Sequence, residues 1–310
     1  MNKSIGFIGL GRMGFSMSER LLRRGIGVIA YNRTPEKTRQ LMKKGAVGVF
    51  SLEELVQKLH GKRRIVWMML PGGNTTNAMI QKILPLLKKG DIVVNGANAL
   101  YTEAQKHARW CEKYGVQYVD VGVSGGIHGL ARGYALMIGG GASAFKRIEP
   151  VCRALAPKNG YAYFGAAGMG HFVKSVHNIV EYVYLEGLAE GAVLLKKQGI
   201  DVQKAGRVWQ SGSIVSGVLL DWMISAIQRK DFSRIAPHIS SVTEGELAAT
   251  VRSVSGFAPA FHAAMNVRSG KKQSEFDFGK RLIAAMRREF GGHAVVFKKV
   301  RKHENMKAKK

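Results

Sequence analysis

The stretch SIGFIGLGRMG near the start of the chain limits the fold more than any other feature. Residues 4 to 9 form a short apolar run, and a helix-like run begins at Arg12 and leads to a second strand, GVIAYN. Between strand and helix lies G-x-G-x-x-G, in which Gly9 permits a tight turn, Gly11 lets a pyrophosphate approach the backbone and Gly14 allows close helix–strand packing. This order predicts a dinucleotide-binding βαβ unit.

The alternation of apolar strands and helices continues through the first half of the chain. Further strands are predicted near residues 46–49, 64–70, 91–95, 116–121, 135–139 and 161–165. Ser51 and Glu54 form a capping box that opens one of the intervening helices. Near-continuous apolar strands predict an α/β Rossmann-type, doubly wound and mostly parallel sheet. After Gly165 helical patterns predominate, so an all-α helical domain should follow.

These patterns predict three segments. Residues 1–165 form an NADP-binding Rossmann-type domain, residues 166–297 a helical domain for substrate and oligomer contacts, and residues 298–310 a basic, disordered tail. No apolar run reaches the roughly 18 residues that span a bilayer, so a cytoplasmic location is expected. Cys111 and Cys152 lack neighbours at metal-ligand spacing, which predicts free thiols and no metal site.

The charge is strongly positive. The sequence has 48 Lys and Arg against 21 Asp and Glu, a net +27, which attracts anionic partners such as phosphorylated substrates, cofactors, nucleic acid or acidic membranes. Basic residues crowd the tail from Lys298 onward. We interpret the tail as solvated; a contact with nucleic acid or an acidic partner is the alternative, which the absence of stacking aromatic residues there disfavours.

The end of the second strand distinguishes between cofactors. NAD sites usually present an acidic residue there, whereas this chain has Asn32, Arg33 and Thr34. Arg33 can pair with a 2′-phosphate, so NADP is favoured and NAD remains an alternative, as does a solvated Arg33 in a plain loop. The predicted cofactor contacts are Gly9, Leu10, Gly11, Arg12, Met13, Gly14, Asn32, Arg33, Thr34, Leu70 and Asn98.

Two later segments follow strands at the C-terminal edge of the sheet, where ligands of open α/β domains bind. In NGANALY, Asn98 can hydrogen-bond a substrate hydroxyl. In VGVSGGIHG, the segment Ser124 to Gly126 offers a hydroxyl and backbone N–H groups to a carboxylate. Each segment taken alone also fits an ordinary polar turn.

The segment GHFVKSVHNIVEY places polar residues at intervals of three and four. In a helix, Lys174, His177, Asn178, Glu181 and Tyr182 share one face. One interpretation is an amphipathic surface helix with a solvated polar side. The other is a catalytic face, on which a Lys174 screened by apolar neighbours and near a cationic nicotinamide acts as a general base. Glu181, about 10 Å along the helix, could then act as a proton donor.

These motifs together resemble the 6-phosphogluconate dehydrogenase family, decarboxylating enzymes of the pentose phosphate pathway within the β-hydroxyacid dehydrogenase superfamily. GLGRMG, SGG, K-x-x-H-N-x-x-E-Y and FGGH occur in family order between residue 4 and about residue 293. The length is similar to that of the short bacterial form. The resemblance implies oxidative decarboxylation of 6-phosphogluconate to ribulose 5-phosphate and CO₂ with reduction of NADP.

The resemblance also implies individual roles. Lys174 removes the proton of the 3-hydroxyl and assists loss of CO₂, and Glu181 protonates the enediol. The sugar acid is positioned by Asn98, Ser124, Gly125, Gly126, His177 and Asn178, and its phosphate is contacted by Tyr182. Arg287 and His293 come from a neighbouring subunit, which implies a homo-dimer or homo-tetramer with shared active sites.

Two segments depart from the family pattern. Residues 95–99 read N-G-A-N-A where the family has D-G-G-N-S, and residues 244–248 read E-G-E-L-A where short members have an E-G-R-W-T-like segment. Glu246 therefore replaces a base near the phosphate side. Two alternatives follow: a dehydrogenase of another β-hydroxy acid, and a cofactor-binding paralogue without catalytic activity.

Overall fold

Eight apolar segments form one sheet, as their hydrophobic patterns predict. The computed structural model describes residues 4–61, 63–236, 242–253, 258–269, 277–291 and 295–297. The strands are β1 (Ser4–Ile8), β2 (Gly27–Tyr31), β3 (Val47–Val49), β4 (Ile65–Met68), β5 (Ile92–Asn95), β6 (Gln117–Ser124), β7 (Ala135–Gly140) and β8 (Tyr161–Tyr163). Their order is β3-β2-β1-β4-β5-β6-β7-β8, and of these neighbours only β6 and β7 run antiparallel.

Helices connect the strands and continue after the sheet ends. They are α1 (Arg12–Arg23), α2 (Pro35–Met42), α3 (Leu52–Lys58), α4 (Asn74–Ile83), α5 (Tyr101–Lys113), α6 (Gly129–Arg132), α7 (Ala142–Leu155), α8 (Met169–Lys197), α9 (Val202–Gln210), α10 (Val218–Gln228), α11 (Val242–Ser253), α12 (Pro259–Ser269) and α13 (Asp277–Gly291). The predicted Rossmann-type α/β fold followed by a helical region is confirmed. None of the described helices has the length and apolar character required to span a bilayer.

Both faces of the sheet are buried. Ile5 and Phe7 of β1 share one apolar cluster with Ile148 of α7, whereas Ile8 belongs to a second cluster with Ile80 of α4. Alternate residues of a strand point to opposite faces, so the continuous apolar runs reflect helices packed on both sides. The polar ends of the strands are then the positions available for a site.

The predicted capping pair Ser51 and Glu54 forms at the start of α3, with Glu54 accepting from the N–H of Phe50 instead of that of Ser51. Glu54 N donates to Ser51 Oγ at 3.0 Å, and Phe50 N donates to Glu54 Oε2 at 3.0 Å. The two side chains satisfy backbone N–H groups that have no partner inside the helix.

A carboxylate from the sheet fixes the start of α8. Asp120 of β6 is fully buried; its Oδ1 accepts from Gly168 N at 2.7 Å and its Oδ2 from His171 N at 2.9 Å. N–H groups at the start of a helix lack intrahelical partners, and the helix dipole favours a negative charge there. Asp120 therefore holds the N-terminus of α8 against β6.

Two glycines allow α8 to lie directly on the sheet. A Cβ on Gly122 of β6 would lie 2.4 Å from Lys174 Cβ, and a Cβ on Gly170 would lie 2.5 Å from Met137 O and 2.6 Å from Asp120 O. Real Cβ atoms do not approach other heavy atoms so closely. Because both residues lack a side chain, α8 can approach β6 closely, which places Lys174 beside the C-terminal end of β6.

The chain divides into two compact units. The first comprises Met1–Glu181 and Val242–Ala258, and the second Tyr182–Ser241 and Pro259–Lys310. The second unit has its own apolar core, formed by residues that include Leu185 and Leu188 of α8, Leu220 and Met223 of α10, and Leu282 and Met286 of α13. The strands end close to the predicted boundary at residue 165, while the compact units divide within α8. The predicted domain limits stay a prediction.

We expect Gly122→Ala to lower the free energy of unfolding by roughly 1–3 kcal/mol, because its methyl group would overlap the Lys174 side chain. Gly187→Ala is the matched control. Gly187 is exposed on α8 and a Cβ there meets nothing within 4 Å. Its replacement should stabilise by roughly 0.5–1 kcal/mol through helix propensity. Urea unfolding measures both, and equal effects would contradict the close approach.

Candidate active site

Helix α1 begins directly after the glycine turn, and its N-terminus is open. Gly11 is the N-cap; no side chain caps the helix and its first turn contains no acid. A Cβ on Gly11 would meet nothing within 4 Å, whereas a Cβ on Gly14 would lie 2.0 Å from Gly9 O. Gly14 thus allows α1 to pack closely, and the uncapped N–H groups at Gly11 suit a phosphate anion.

Asn32 supports the glycine turn from the end of β2. Its Oδ1 accepts from Leu10 N at 2.8 Å and its Nδ2 donates to Thr34 O at 2.9 Å. Asn32 is a predicted cofactor contact, and these two hydrogen bonds connect the glycine turn to the loop after β2. Arg33 beyond it, and Arg12 at the start of α1, are exposed and therefore open to an anion.

The loops after β4 and β5 touch each other. A Cβ on Gly72 would lie 2.4 Å from Asn98 O, so the two backbones are in close contact, and the neighbouring Leu70 is half-buried. The Asn98 residue is exposed, but Ala97 and Ala99 are only 3% and 8% exposed. The two methyl groups that depart from the family pattern are therefore packed inside the protein.

A buried arginine holds the segment that follows Ser124. Arg20 of α1 is 6% exposed; its Nε donates to Leu155 O at 2.8 Å and its Nη1 to Leu130 O at 3.0 Å. Gly125 and Gly126 have φ values of +135° and +53°, which favour glycine. Arg20 and Asp120 leave no local sequence signal, because their partners lie far away along the chain.

The polar side of α8 faces inward. Asn178 is 8% exposed and the Glu181 side chain 14% exposed, whereas Val176 and Val180 on another side are 42% and 63% exposed. The interpretation as a surface helix with a solvated polar side is therefore wrong. The close approach of α8 to β6 turns its polar side chains toward the sheet.

His177 links the catalytic candidates of α8 to the SGG loop. Its Nε2 lies 3.3 Å from Ser124 Oγ and its Nδ1 lies 3.3 Å from Lys174 Nζ. The same Nδ1 is 3.1 Å from Asn178 Oδ1 and 3.8 Å from Glu181 Oε2. Because one nitrogen cannot both accept from Lys174 and donate to Asn178, the protonation of Lys174 and the tautomer of His177 are coupled.

Burial changes the acid–base properties of this cluster. It lowers the pKa of Lys174 to about 8, an effect that the negative charge of Glu181 partly opposes. Burial, and then the positive charge of Lys174, lower the pKa of His177. Lys174 can therefore lose its proton close to neutral pH while His177 stays a neutral hydrogen-bonding group.

The residues assigned to the phosphate end lie in the second unit. Tyr182 and Arg287 are 5% and 6% exposed, and the Arg287 Cζ lies 5.7 Å from the centre of the Tyr182 ring of the same chain. The role of Arg287 in a neighbouring subunit stays a prediction. His293 lies outside the described residues.

Comparisons with known proteins point to one family. A family model for the NAD binding domain of 6-phosphogluconate dehydrogenase matches residues 4–168. An NAD(+)-dependent, decarboxylating 6-phosphogluconate dehydrogenase from Haloferax volcanii is 31% identical over 302 residues, covering 95% of this chain and 99% of the relative.

Solved structures show the same fold. One is Plasmodium falciparum 6-phosphogluconate dehydrogenase, described in apo form and in complexes with NADP+ and with 6-phosphogluconate. It superposes with a TM-score of 0.78 at 24% identity, over 91% of this chain and 70% of that one. A Mycobacterium tuberculosis 3-hydroxyisobutyrate dehydrogenase with L-serine has a TM-score of 0.72 at 23% identity, over 91% and 98%. The expected cofactor class, NADP or NAD, is confirmed.

We expect Arg33→Ala to raise the Kd for NADP about 10–100-fold and to leave the Kd for NAD within about threefold, since only NADP carries the 2′-phosphate. Isothermal titration calorimetry measures both. Arg24→Ala, which removes an exposed charge at the far end of α1, is the control. Parallel losses for NADP and NAD would exclude a specific contact between Arg33 and the 2′-phosphate.

Proposed function

The chain belongs to the 6-phosphogluconate dehydrogenase family and is an NAD(P)-dependent oxidoreductase, and we propose that it converts 6-phosphogluconate to ribulose 5-phosphate and CO₂ with reduction of NADP. One observation supports this most directly: Lys174, with a lowered pKa, lies on the buried polar side of α8 within 3.3 Å of His177, which reaches Ser124. The proposal includes a role in the pentose phosphate pathway and gluconate utilisation, in the cytoplasm.

In the first step, neutral Lys174 removes the proton of the substrate 3-hydroxyl as hydride leaves C3. Bound NADP supplies the hydride acceptor. The uncapped N-terminus of α1 and Arg33 would hold its phosphates, while the exposed Asn98 and the Ser124 hydroxyl orient the sugar acid. Lys174 would lose its proton more readily beside a bound cationic nicotinamide ring, which would keep the base available.

In the second step, the 3-keto acid loses CO₂. The proton that Lys174 has taken passes to the 3-keto oxygen as the C1–C2 bond breaks, which leaves an enediol. Glu181, two helical turns from Lys174, then protonates the carbon that becomes C1 of the product, while Lys174 takes back the proton of the neighbouring hydroxyl, whose oxygen becomes the keto oxygen of ribulose 5-phosphate. Along the helix the two residues are about 10 Å apart, but their side chains converge on His177 Nδ1, so that base and acid could reach neighbouring atoms of one substrate.

We expect Lys174→Ala to lower kcat by about 10²–10⁴-fold, the usual contribution of a general base. In the wild type, kcat/KM should rise with pH through a limb near pH 8, because Lys174 acts only when it has lost its proton. Absorbance at 340 nm and CO₂ release measure the two steps. Lys146→Ala, an exposed lysine on α7, is the control. A wild type that binds NADP but reduces none on any β-hydroxy acid would identify a non-catalytic paralogue instead.

Glu246 supports a second candidate, a dehydrogenase of an unphosphorylated β-hydroxy acid. Glu246 lies in α11 of the first unit, where burial raises its pKa. It replaces the base of the E-G-R-W-T-like family segment, and a carboxylate near a phosphate dianion is repulsive. The alternative therefore predicts a substrate without a phosphate group.

For this second candidate, we expect Glu246→Arg to raise kcat/KM for 6-phosphogluconate relative to unphosphorylated β-hydroxy acids by about tenfold, since it replaces repulsion by attraction. Glu53→Arg, which makes the same change on the exposed side of α3, is the control. An unchanged ratio would remove Glu246 from substrate selection.

A homo-dimer or homo-tetramer is also part of the proposal. Val176 and Val180 are four residues apart on α8 and exposed, an arrangement that a neighbouring subunit would cover. Contacts of the basic tail fall outside the described residues and stay a prediction.

A further inference from the structure

A buried chain of hydrogen bonds lies behind the residues assigned to the site. Asn95 Nδ2 donates to Tyr118 Oη at 3.2 Å, Tyr118 Oη lies 3.4 Å from His107 Nδ1, and His107 Nε2 lies 2.5 Å from Asn77 Oδ1. Asn95 and His107 are 0% and 1% exposed. The proposed reaction uses none of these four side chains.

The direction of this chain is determined by its ends. Asn95 Oδ1 accepts from Ala97 N at 3.0 Å, so the group that faces Tyr118 is the NH₂ donor. The Tyr118 hydroxyl accepts this hydrogen bond and must therefore donate its own proton in a hydrogen bond to His107 Nδ1. The single N–H of neutral His107 is then on Nε2 and donates to Asn77 Oδ1.

His107 remains neutral because of its surroundings. Burial lowers its pKa to about 4; Glu103 acts in the opposite direction, and His171 and Lys106 add smaller lowering effects. A neutral imidazole supplies one donor and one acceptor, as the two neighbours of His107 require.

Asn95 also joins two parts of the site. Its backbone O lies 3.2 Å from Nε2 of His171, which precedes Lys174 by one helical turn on α8. Its side chain holds the N–H of Ala97, directly before Asn98. One residue thus connects the Asn98 loop to the helix of the candidate base.

We propose that Asn95 is a positioning residue which, through the Tyr118–His107–Asn77 chain, holds the Asn98 loop in register with Lys174. This inference rests on the proposed function, in which Asn98 and Lys174 act on one substrate. It also explains a departure from the family pattern, which has Asp at this position. A carboxylate can only accept hydrogen bonds, so Asp at position 95 would accept from the Tyr118 hydroxyl and reverse the direction of the chain.

The first test measures the direction of the hydrogen bonds by NMR and does not depend on enzymatic activity. In ¹⁵N-histidine-labelled protein, with His107→Gln as the assignment control, wild-type His107 should be the Nε2–H tautomer from pH 6 to 8. In Asn95→Asp, His107 should change to the Nδ1–H tautomer or acquire a second proton within that range. An unchanged His107 spectrum in Asn95→Asp would overturn the proposed direction.

The second test measures, through kcat and the Kd for NADP, whether Asn95 and Tyr118 position the Asn98 loop. Asn95→Asp and Tyr118→Phe should each lower kcat on the accepted hydroxy acid at least tenfold, with the Kd for NADP changed less than threefold. The double variant should lose less than the product of the two single losses, because both disturb one chain. Tyr114→Phe, at an exposed tyrosine, should have no effect. Unchanged kcat, or parallel losses in kcat, NADP affinity and thermal stability, would overturn the positioning role.

The two failures can be told apart. Failure of the proposed function appears as a wild type that does not act on 6-phosphogluconate, and the His107 spectra then still decide the chain's direction. In that case the Asn98 side-chain amide resonance of NADP-bound protein replaces kcat as the reading of loop position. It should shift in Tyr118→Phe and stay in place in Tyr114→Phe; an unshifted resonance in Tyr118→Phe would overturn the positioning role.

Discussion

The geometry of the candidate site depends on the hydrogen bonds of one buried carboxylate, that of Asp120. It accepts hydrogen bonds from the backbone of Gly168 and His171, at the positive end of the α8 dipole. A buried charge is tolerated only when it is fully hydrogen-bonded, so the sheet and the helix start are held in one arrangement. Fixing the first turn of α8 determines the positions of Lys174, His177 and Asn178, which follow within the same compact unit.

The same arrangement explains the chemistry of Lys174. Close packing against Gly122 removes water from the lysine, and its ammonium form is disfavoured as a result. A lysine in this position destabilises the folded chain at neutral pH, where it must either lose its proton or remain charged in a poorly solvated place. Under the proposed function such a position would serve catalysis, since a general base is most effective when its pKa is near the working pH.

Local sequence patterns predicted much of the fold, because strand alternation, the glycine turn and the capping box at Ser51 depend on neighbours a few residues apart. The orientation of α8 was not decided by periodicity, which separates a polar from an apolar side without showing which one is buried. Asp120 and its partners are separated by 48 and 51 residues, and Arg20 and Leu155 by 135. Such contacts arise from strand order and leave no local signal.

The departures from the family pattern have different physical meanings. Ala97 and Ala99 are buried, so their methyl groups alter packing behind the loop rather than the surface that a substrate meets. Asn95 changes the direction of a buried hydrogen-bond chain, and its partner His107 is neutral as that direction requires. Glu246 instead changes the sign of a charge. Under the second candidate function Glu246 would influence substrate choice through its charge, whereas the residues around position 95 would act on the alignment of whichever substrate binds.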